Sequence, residues 1–253
     1  MLRTRIIPTL LLRNESLVKT VRFGKFTYVG DPANTVRIFN ELEVDELLFL
    51  DITASRERRS PNLKVLADIA DECFMPLSYG GGVCSLDQAK GVFDIGFEKI
   101  AINTHASEKP GLIGEIAARY GSQAVIASID VKTGLFGSQT VQILGGKRNT
   151  GRDPVAWGKE AESMGAGEIL LTSIDREGTW DGFDLRLVKR VTDAVSIPVI
   201  AHGGAGSIDH IRQVVKEAHA SAVALGSMVV FQKKGMGVLV GFPDQNKREE
   251  ALA

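Results

Sequence analysis

The chain has 253 residues, of which 44% are hydrophobic and 24% charged, and its formal net charge is −1. This composition is typical of a globular protein with a large core, and the balanced charge argues against nucleic acid and anionic membranes as partners. The sequence shows neither an apolar run of about 18 residues nor a signal peptide, and Cys73 and Cys84 form no CxxC or zinc pattern, so we expect reduced thiols in a cytoplasmic protein.

Eight short apolar runs alternate with amphipathic stretches along the chain. The runs show little period-two alternation, as expected for strands buried on both faces of a parallel sheet. The repeated strand–helix order indicates an α/β fold, and eight repeats favour closure of residues 1–253 into a single (β/α)₈ domain, the TIM barrel. The runs are residues 5–12, 46–51, 75–79, 99–102, 124–130, 168–173, 198–202 and 222–225.

Capping side chains predict where the helices begin. Three predicted caps stand before a proline, which is favourable at the first helical position, and a fourth precedes a glutamine by three residues, as in a capping box. The predicted caps are Asp31, Ser60 and Asp153 before prolines, Ser85 with Gln88, and Asp184 and Ser207.

Two connections, residues 13–30 and 131–150, are longer than usual. Each follows a predicted strand, and long loops after strands lie on the catalytic face of this fold. In the second connection, residues 141–144 and the flanking glycines predict a small hairpin. At the other end of the chain, the glycines and proline from Gly235 onward leave little room for a last helix.

An internal repeat relates the two halves of the chain. Residues 76–82 and 198–204 are similar, each follows a helix, and each ends in glycines before the next helix. Glycines there let backbone N–H groups approach an anion at a helix start. A tight turn alone is the alternative for either loop, but two loops in half-barrel symmetry favour a pair of phosphate sites. Such a pair suits an elongated substrate with a phosphate at each end.

Carboxylates and one histidine also fall at predicted strand ends. Asp51, Asp130 and Asp175 could act as general acid or base in the barrel mouth, or serve as caps or partners of loop arginines. Asp130 is the strongest catalytic candidate because the residues before it bury its approach. The four histidines show no ligand spacing, so no metal site and no cofactor is expected, although His202 is placed to contact a ligand.

Several stretches in order along the chain resemble the HisF family, the cyclase subunit of imidazole glycerol phosphate synthase. The resemblance implies a lyase-type cyclase that receives ammonia from a HisH-like glutaminase docked at the amino-terminal face of the barrel. The ammonia passes through the barrel to a phosphorylated ligand at the other end. The matching stretches are residues 5–8, 50–54, 80–82, 102–104, 121–123, 165–173 and 200–206.

The resemblance also implies roles for particular residues. The family's catalytic base matches Asp130, and its loop-one lysine matches Lys19. The phosphate sites match Gly82, Asn103 and Thr104 on one side, and Gly178, Gly204 and Ser227 on the other. The charged ammonia gate at the barrel floor matches Arg5, Glu46, Lys99 and Glu168.

Three departures from the family pattern alter the expected chemistry. The catalytic aspartate of strand one is replaced by Leu11, which cannot transfer a proton, Glu177 replaces an aspartate, and His202 replaces a small polar residue. These changes resemble a HisF-like branch called WbuZ, in which a separate amidotransferase makes acetamidino sugars for surface polysaccharides. Three hypotheses follow: an ammonia-conducting subunit for sugar amidination with reduced cyclase activity, a working cyclase of histidine biosynthesis that uses another acid, and a non-catalytic activator of the glutaminase.

Overall fold

The computed structural model describes residues 4–42, 44–245 and 252. Eight parallel strands close into a barrel: β1 pairs with both β12 and β4, and β7 pairs with β10. The predicted (β/α)₈ barrel is therefore confirmed. The barrel strands are β1 (Arg5–Arg13), β4 (Leu47–Asp51), β5 (Leu77–Gly80), β6 (Lys99–Ile102), β7 (Val125–Thr133), β10 (Glu168–Ser173), β11 (Val199–His202) and β12 (Ala222–Leu225).

Helices surround the barrel and pack their apolar faces on the strands. Within the described residues, no helix has both the length and the apolar character needed to cross a membrane. The helices are α1 (Pro32–Glu41), α2 (Ala54–Glu57), α3 (Leu63–Ala70), α4 (Leu86–Asp94), α5 (Thr104–Glu108), α6 (Gly111–Tyr120), α7 (Pro154–Ser163), α8 (Leu185–Thr192) and α9 (Ile208–Ala218), with short 3₁₀ turns at Ser122–Ala124 and Ser227–Val229.

The predicted helix starts are mostly confirmed. Side chains of Asp31, Ser85, Asp153, Asp184 and Ser207 each accept a backbone hydrogen bond at the start of a helix. Ser85 and Ser207 cap α4 and α9, the equivalent helices of the two half-barrels, which agrees with the internal repeat.

Two details of the predicted starts are wrong. Asn62, not Ser60, caps α3, because the helix begins at Leu63 and the Asn62 side chain accepts from Val65 N. The box at Ser85 is incomplete: the Gln88 side chain accepts from Cys84 N at 2.8 Å and donates to Ser60 Oγ, so it does not close on Ser85 N.

Two hairpins rise from the carboxyl ends of the barrel strands. The hairpin predicted in residues 131–150 is confirmed: β7 continues past Asp130 and pairs with β8 (Gln139–Ile143), which pairs with β9 (Arg148–Asn149). The first long connection forms a hairpin of β2 (Ser16–Thr20) and β3 (Phe26–Gly30), which the sequence did not predict. Residues 235–244 form no helix, but residues 245 and 252 are helical, so the expectation from Gly235 onward holds only for the first part of the segment. Residues 246–251 and 253 lie outside the described residues.

The barrel interior is filled by an apolar core distinct from the larger core between strands and helices. Its members come from the barrel strands and point inward, as layers of side chains do in this fold. They separate a charged floor from a polar mouth. The interior residues are Ile7, Leu48, Ala101, Ile126, Leu170, Ile200, Ala222 and Ala224.

Candidate functional site

The carboxyl ends of the barrel strands enclose a cavity of about 260 Å³. Its wall includes residues from both hairpins and from the loops after β4, β5, β6 and β10. A second, smaller cavity adjoins it beside the loops after β10, β11 and β12. The predicted mouth of the barrel therefore contains two compartments.

The first compartment brings together Gly82, Asn103 and Thr104, the first predicted phosphate set. Gly82 has a φ of +72°, and a side-chain carbon there would lie 2.4 Å from Arg59 O, so only glycine fits. The Asn103 amide donates to Ser128 O at 3.0 Å and to Asp130 Oδ2 at 3.3 Å, which connects this set to the predicted base.

The second compartment brings together Gly178, Gly204 and Ser227, the other predicted phosphate set. Gly204 has a φ of +108°, and a side-chain carbon there would lie 2.1 Å from Gly182 O. Lys19 lines the same compartment and donates to Thr9 O. Burial lowers the pKa of Lys19 to about 8, while the charge of Glu177 opposes that shift. Lys19 thus lies with the second set rather than beside the first.

The compartments meet at three residues that were expected to depart from the resembled pattern. Leu11, Glu177 and His202 line both cavities. Leu11 is 5% exposed and presents an apolar side chain at the position that the resemblance assigns to a strand-one aspartate. The three residues therefore lie together where the two compartments adjoin.

Asp130 lines the larger cavity. Burial raises the pKa of Asp130 to about 7, the hydrogen bond with Thr172 opposes this, and the negative charge of Glu177 reinforces it. A carboxyl that titrates near neutral pH can both accept and donate a proton. Thr172 was not predicted as a site residue, and its only sign in the sequence is that it is a polar residue within an apolar strand.

The other two candidate carboxylates are held by local structure. Asp51 Oδ1 accepts from the backbone N–H groups of Thr53 and Ala54, both at 3.0 Å, and Asp51 Oδ2 lies 3.4 Å from Arg59 Nη2. Asp175 Oδ2 accepts from Thr133 N at 2.8 Å, which ties the loop after β10 to the second hairpin. Both match the alternative of a cap or loop contact that the sequence left open.

At the opposite end of the barrel, the four predicted gate residues form one connected cluster. Arg5 pairs with Glu46 at 2.7 Å and with Glu168 at 2.9 Å, and Lys99 pairs with the same two carboxylates at 3.2 and 3.1 Å. Ser78 Oγ also donates to Glu46 Oε1 at 2.8 Å. Among the described residues, the buried Glu168 Oε2 is an acceptor without a hydrogen-bond donor.

Comparison with known proteins agrees with this geometry. The family model described as histidine biosynthesis protein matches residues 5–234. The chain belongs to the HisF family. It is 40% identical over 228 residues, 90% of each chain, to the imidazole glycerol phosphate synthase subunit HisF of Streptococcus sanguinis.

Two further HisF relatives cover almost the whole chain. One, from Pseudomonas aeruginosa, is 49% identical over 247 residues, 98% of each chain, and its name proposes an imidazole glycerol phosphate synthase subunit hisF2. Another, from Leptospira borgpetersenii, is 44% identical over 250 residues with the same coverage, and its name proposes a HisF subunit of that synthase.

Proposed function

We propose that this HisF-type chain receives ammonia from a HisH-like glutaminase at its amino-terminal face and delivers it to a phosphorylated ligand in the mouth, with weak cyclase turnover. The observation that carries the proposal is the contrast between a complete charged floor and Leu11 in the mouth. The floor keeps the groups needed to receive ammonia, whereas the mouth lacks one of the two carboxylates that the resemblance assigns to the cyclase reaction.

The ammonia half of the proposal rests on the cluster of Arg5, Glu46, Lys99 and Glu168. Four charges at the base of an apolar barrel are costly to bury, and packing alone would be served as well by apolar side chains. The cluster lies at the amino-terminal ends of the strands, where a partner could reach it, and the apolar interior separates it from the mouth. Relatives named as synthase subunits support a HisH-like partner, and the position of the cluster is the reason to place that partner at this face.

The ligand half rests on the two glycine-lined compartments. Gly82, Asn103 and Thr104 would hold one phosphate, and Gly178, Gly204 and Ser227 the other, with Lys19 supplying positive charge to the second site. Sulfate is a suitable probe because it carries a constant charge near neutral pH. We expect Gly204→Ala to abolish sulfate binding in the second compartment in a calorimetric titration and to leave the first intact. Two empty compartments in a sulfate-soaked crystal would contradict the proposal.

The weak cyclase reaction follows from Leu11. A positioned proton donor commonly contributes about 10²–10⁴-fold to a rate, and leucine contributes none. The ammonia would instead serve sugar amidination by a separate amidotransferase, as in the WbuZ branch that the sequence resembles. A genuine histidine-pathway cyclase and a non-catalytic glutaminase activator are the two competing functions.

A cyclase assay with excess ammonium separates these functions because it bypasses the glutaminase. We expect very low turnover by the wild type, a rise of about 10²-fold or more in Leu11→Asp, and none in Asp130→Asn. Leu11→Asn is the matched control, since it has similar polarity and size but no carboxyl proton. A wild-type rate of about 1–10³ s⁻¹, lost in Asp130→Asn and not raised by Leu11→Asp, would establish the histidine-pathway function instead.

The partner is tested separately with the glutaminase. We expect the wild type to bind a HisH-type glutaminase and stimulate its glutamine hydrolysis. Lys99→Met should reduce ammonia transfer more than it reduces binding, because it alters the floor of the barrel rather than its outer rim. Stimulation without any transfer of ammonia into the barrel would favour the activator hypothesis.

A further inference from the structure

Three polar residues lie side by side on neighbouring strands in the mouth of the barrel. Asp130 on β7 is in register with Thr172 on β10, and Thr172 is in register with His202 on β11. Thr172 Oγ1 lies 3.1 Å from His202 Nδ1, and on its other side Thr172 is the strand neighbour of Asp130, where its hydroxyl acts to lower the pKa of that carboxyl. One hydroxyl therefore lies between the carboxyl and the imidazole.

This line joins the two compartments. Asp130 and Thr172 line the larger cavity, and His202, which is 8% exposed, lines both. A side-chain carbon built on Gly226 would lie 3.1 Å from Lys19 Nζ and 3.9 Å from His202 Nε2. The free ring nitrogen of His202 and the ammonium of Lys19 thus approach the same backbone position in the second compartment.

The Thr172 hydroxyl has one hydrogen, so it can donate either to Asp130 or to His202 but not to both at once. When Asp130 is ionised, the Thr172 hydroxyl donates to the carboxylate, so His202 must donate from Nδ1 and its Nε2 is bare. When Asp130 is protonated, the Asn103 amide already donates to Oδ2, which favours the proton on Oδ1. If that proton is donated to Thr172, the hydroxyl turns to His202 Nδ1, and the ring carries its hydrogen on Nε2.

The charges around the line keep the imidazole neutral in both arrangements. Burial, helped by the positive charge of Lys19 on β2, lowers the pKa of His202 to about 3. The negative charge of Glu177, whose carboxylate accepts from Thr20 and Phe23 N, favours the protonated form of both Asp130 and Lys19. On the remaining sides, Ala224 of β12 and Leu11 of β1 bring no charge. The ring consequently changes tautomer rather than charge.

We propose that Asp130 exchanges its proton with the second compartment through Thr172 and His202. A proton arriving at His202 Nε2 forms an N–H bond there, the Nδ1 hydrogen passes to Thr172 Oγ1, and the original hydroxyl hydrogen passes to Asp130. The line takes up one proton in total: Asp130 gains it, and the His202 imidazole and the Thr172 hydroxyl each still carry one hydrogen. His202 is thus a relay residue that can recharge Asp130 as an acid although Leu11 supplies no proton.

The relay also couples the two compartments. An oxyanion in the second compartment is better bound by an Nε2–H donor than by a bare nitrogen, so it favours the protonated form of Asp130, and the effect is reciprocal. This consequence rests on the proposed anion site of the second compartment, whereas the relay itself does not.

The relay is tested by ¹⁵N NMR of histidine-labelled protein, with His202 assigned by its absence in His202→Gln. Between about pH 5 and about pH 9, the wild-type ring should change from the Nε2–H to the Nδ1–H tautomer with the titration of Asp130 and remain neutral. Thr172→Val should abolish this change and Thr172→Ser should retain it. Asp130→Asn should show one tautomer throughout, which provides a second test should Thr172→Val not fold.

Two results would overturn the relay: a wild-type tautomer that does not change with pH, or the same change in Thr172→Val, since the charge of Asp130 would then act through space. Sulfate should move the wild-type midpoint to higher pH and move it less in Thr172→Val. If sulfate leaves the His202 signals unchanged, the second anion site fails as part of the proposed function, while the response to pH still decides the relay.

Discussion

The charged groups at the floor of this barrel are paired with opposite charges, whereas the carboxyl of Asp130 in the mouth has neutral hydrogen-bonding neighbours. At the floor, Arg5 and Lys99 are each shared between Glu46 and Glu168, so every charge faces an opposite one within 3.2 Å. In the mouth, Asp130 accepts a hydrogen bond from the neutral amide of Asn103 and lies beside the neutral hydroxyl residue Thr172. The floor is therefore suited to fixed charges, whereas the mouth favours a carboxyl that can hold its proton.

The difference also follows the pattern that the family resemblance implied. The four floor residues were expected to match that pattern, and Leu11, Glu177 and His202, which were expected to depart from it, line both compartments. Leu11 brings no charge to this boundary, whereas His202 brings an imidazole that contacts Thr172. The apolar interior lies between the floor and the mouth.

The largest expected effect is on stability, from opening the floor cluster. Arg5→Ala leaves Glu46 and Glu168 buried with only Lys99 to share, and breaking a buried pair typically costs about 3–5 kcal/mol. We expect the free energy of unfolding, measured by denaturant titration, to fall by about that amount. Arg148→Ala is the control: it removes an exposed pair with Glu108 and should cost below about 1 kcal/mol. Equal losses in the two variants would remove the contrast between floor and surface.

The next effect concerns the mouth and depends on pH. The folded chain binds the proton of Asp130 up to about pH 7, whereas the unfolded chain releases it at the ordinary pKa of about 3.9. Between those values the native state binds more protons, so Asp130 makes the protein less stable as pH rises from about 4 to about 7.

Asp130→Asn removes that titration and tests the sign. We expect it to stabilise the protein by about 2–4 kcal/mol at pH 8 and by almost nothing below pH 4. Unfolding titrations of wild type and variant at both pH values measure the difference. A gain of equal size at the two pH values would mean that Asp130 is not held in its protonated form, and the contrast with the floor would then be wrong.

The smallest effects are expected from the helix caps beside the mouth. Ser85→Ala and Ser207→Ala should each lower the free energy of unfolding by about 1 kcal/mol, since each removes the acceptor for a backbone N–H group. Ser60→Ala should change it by less than about 0.5 kcal/mol, because Ser60 caps no helix, and Asn62→Ala should cost about 1 kcal/mol. A loss confined to one of Ser85 and Ser207 would show that the two half-barrels are not equivalent.

Much of the architecture was determined by the sequence itself. Eight apolar runs separated by capped amphipathic segments specify the barrel, because strand and helix periodicities and capping side chains act over a few residues. The order of the runs also places residues that follow strands in the mouth and residues that begin strands at the floor. The resemblance to the HisF family assigned residues to two phosphate sets and to a four-residue gate, and the structure brings the members of each set together in one region.

Other features were decided only by the tertiary structure. The first hairpin forms because β2 can extend the barrel strand β1, a long-range fit that local propensity does not reveal. The cap at Asn62 depends on where α3 packs, since both Ser60 and Asn62 are good capping residues. Above all, barrel closure sets β7, β10 and β11 in register, and only that register places Asp130, Thr172 and His202 side by side. Residues far apart in the chain interact there because parallel strands align them at the same height, which no local pattern in the sequence encodes.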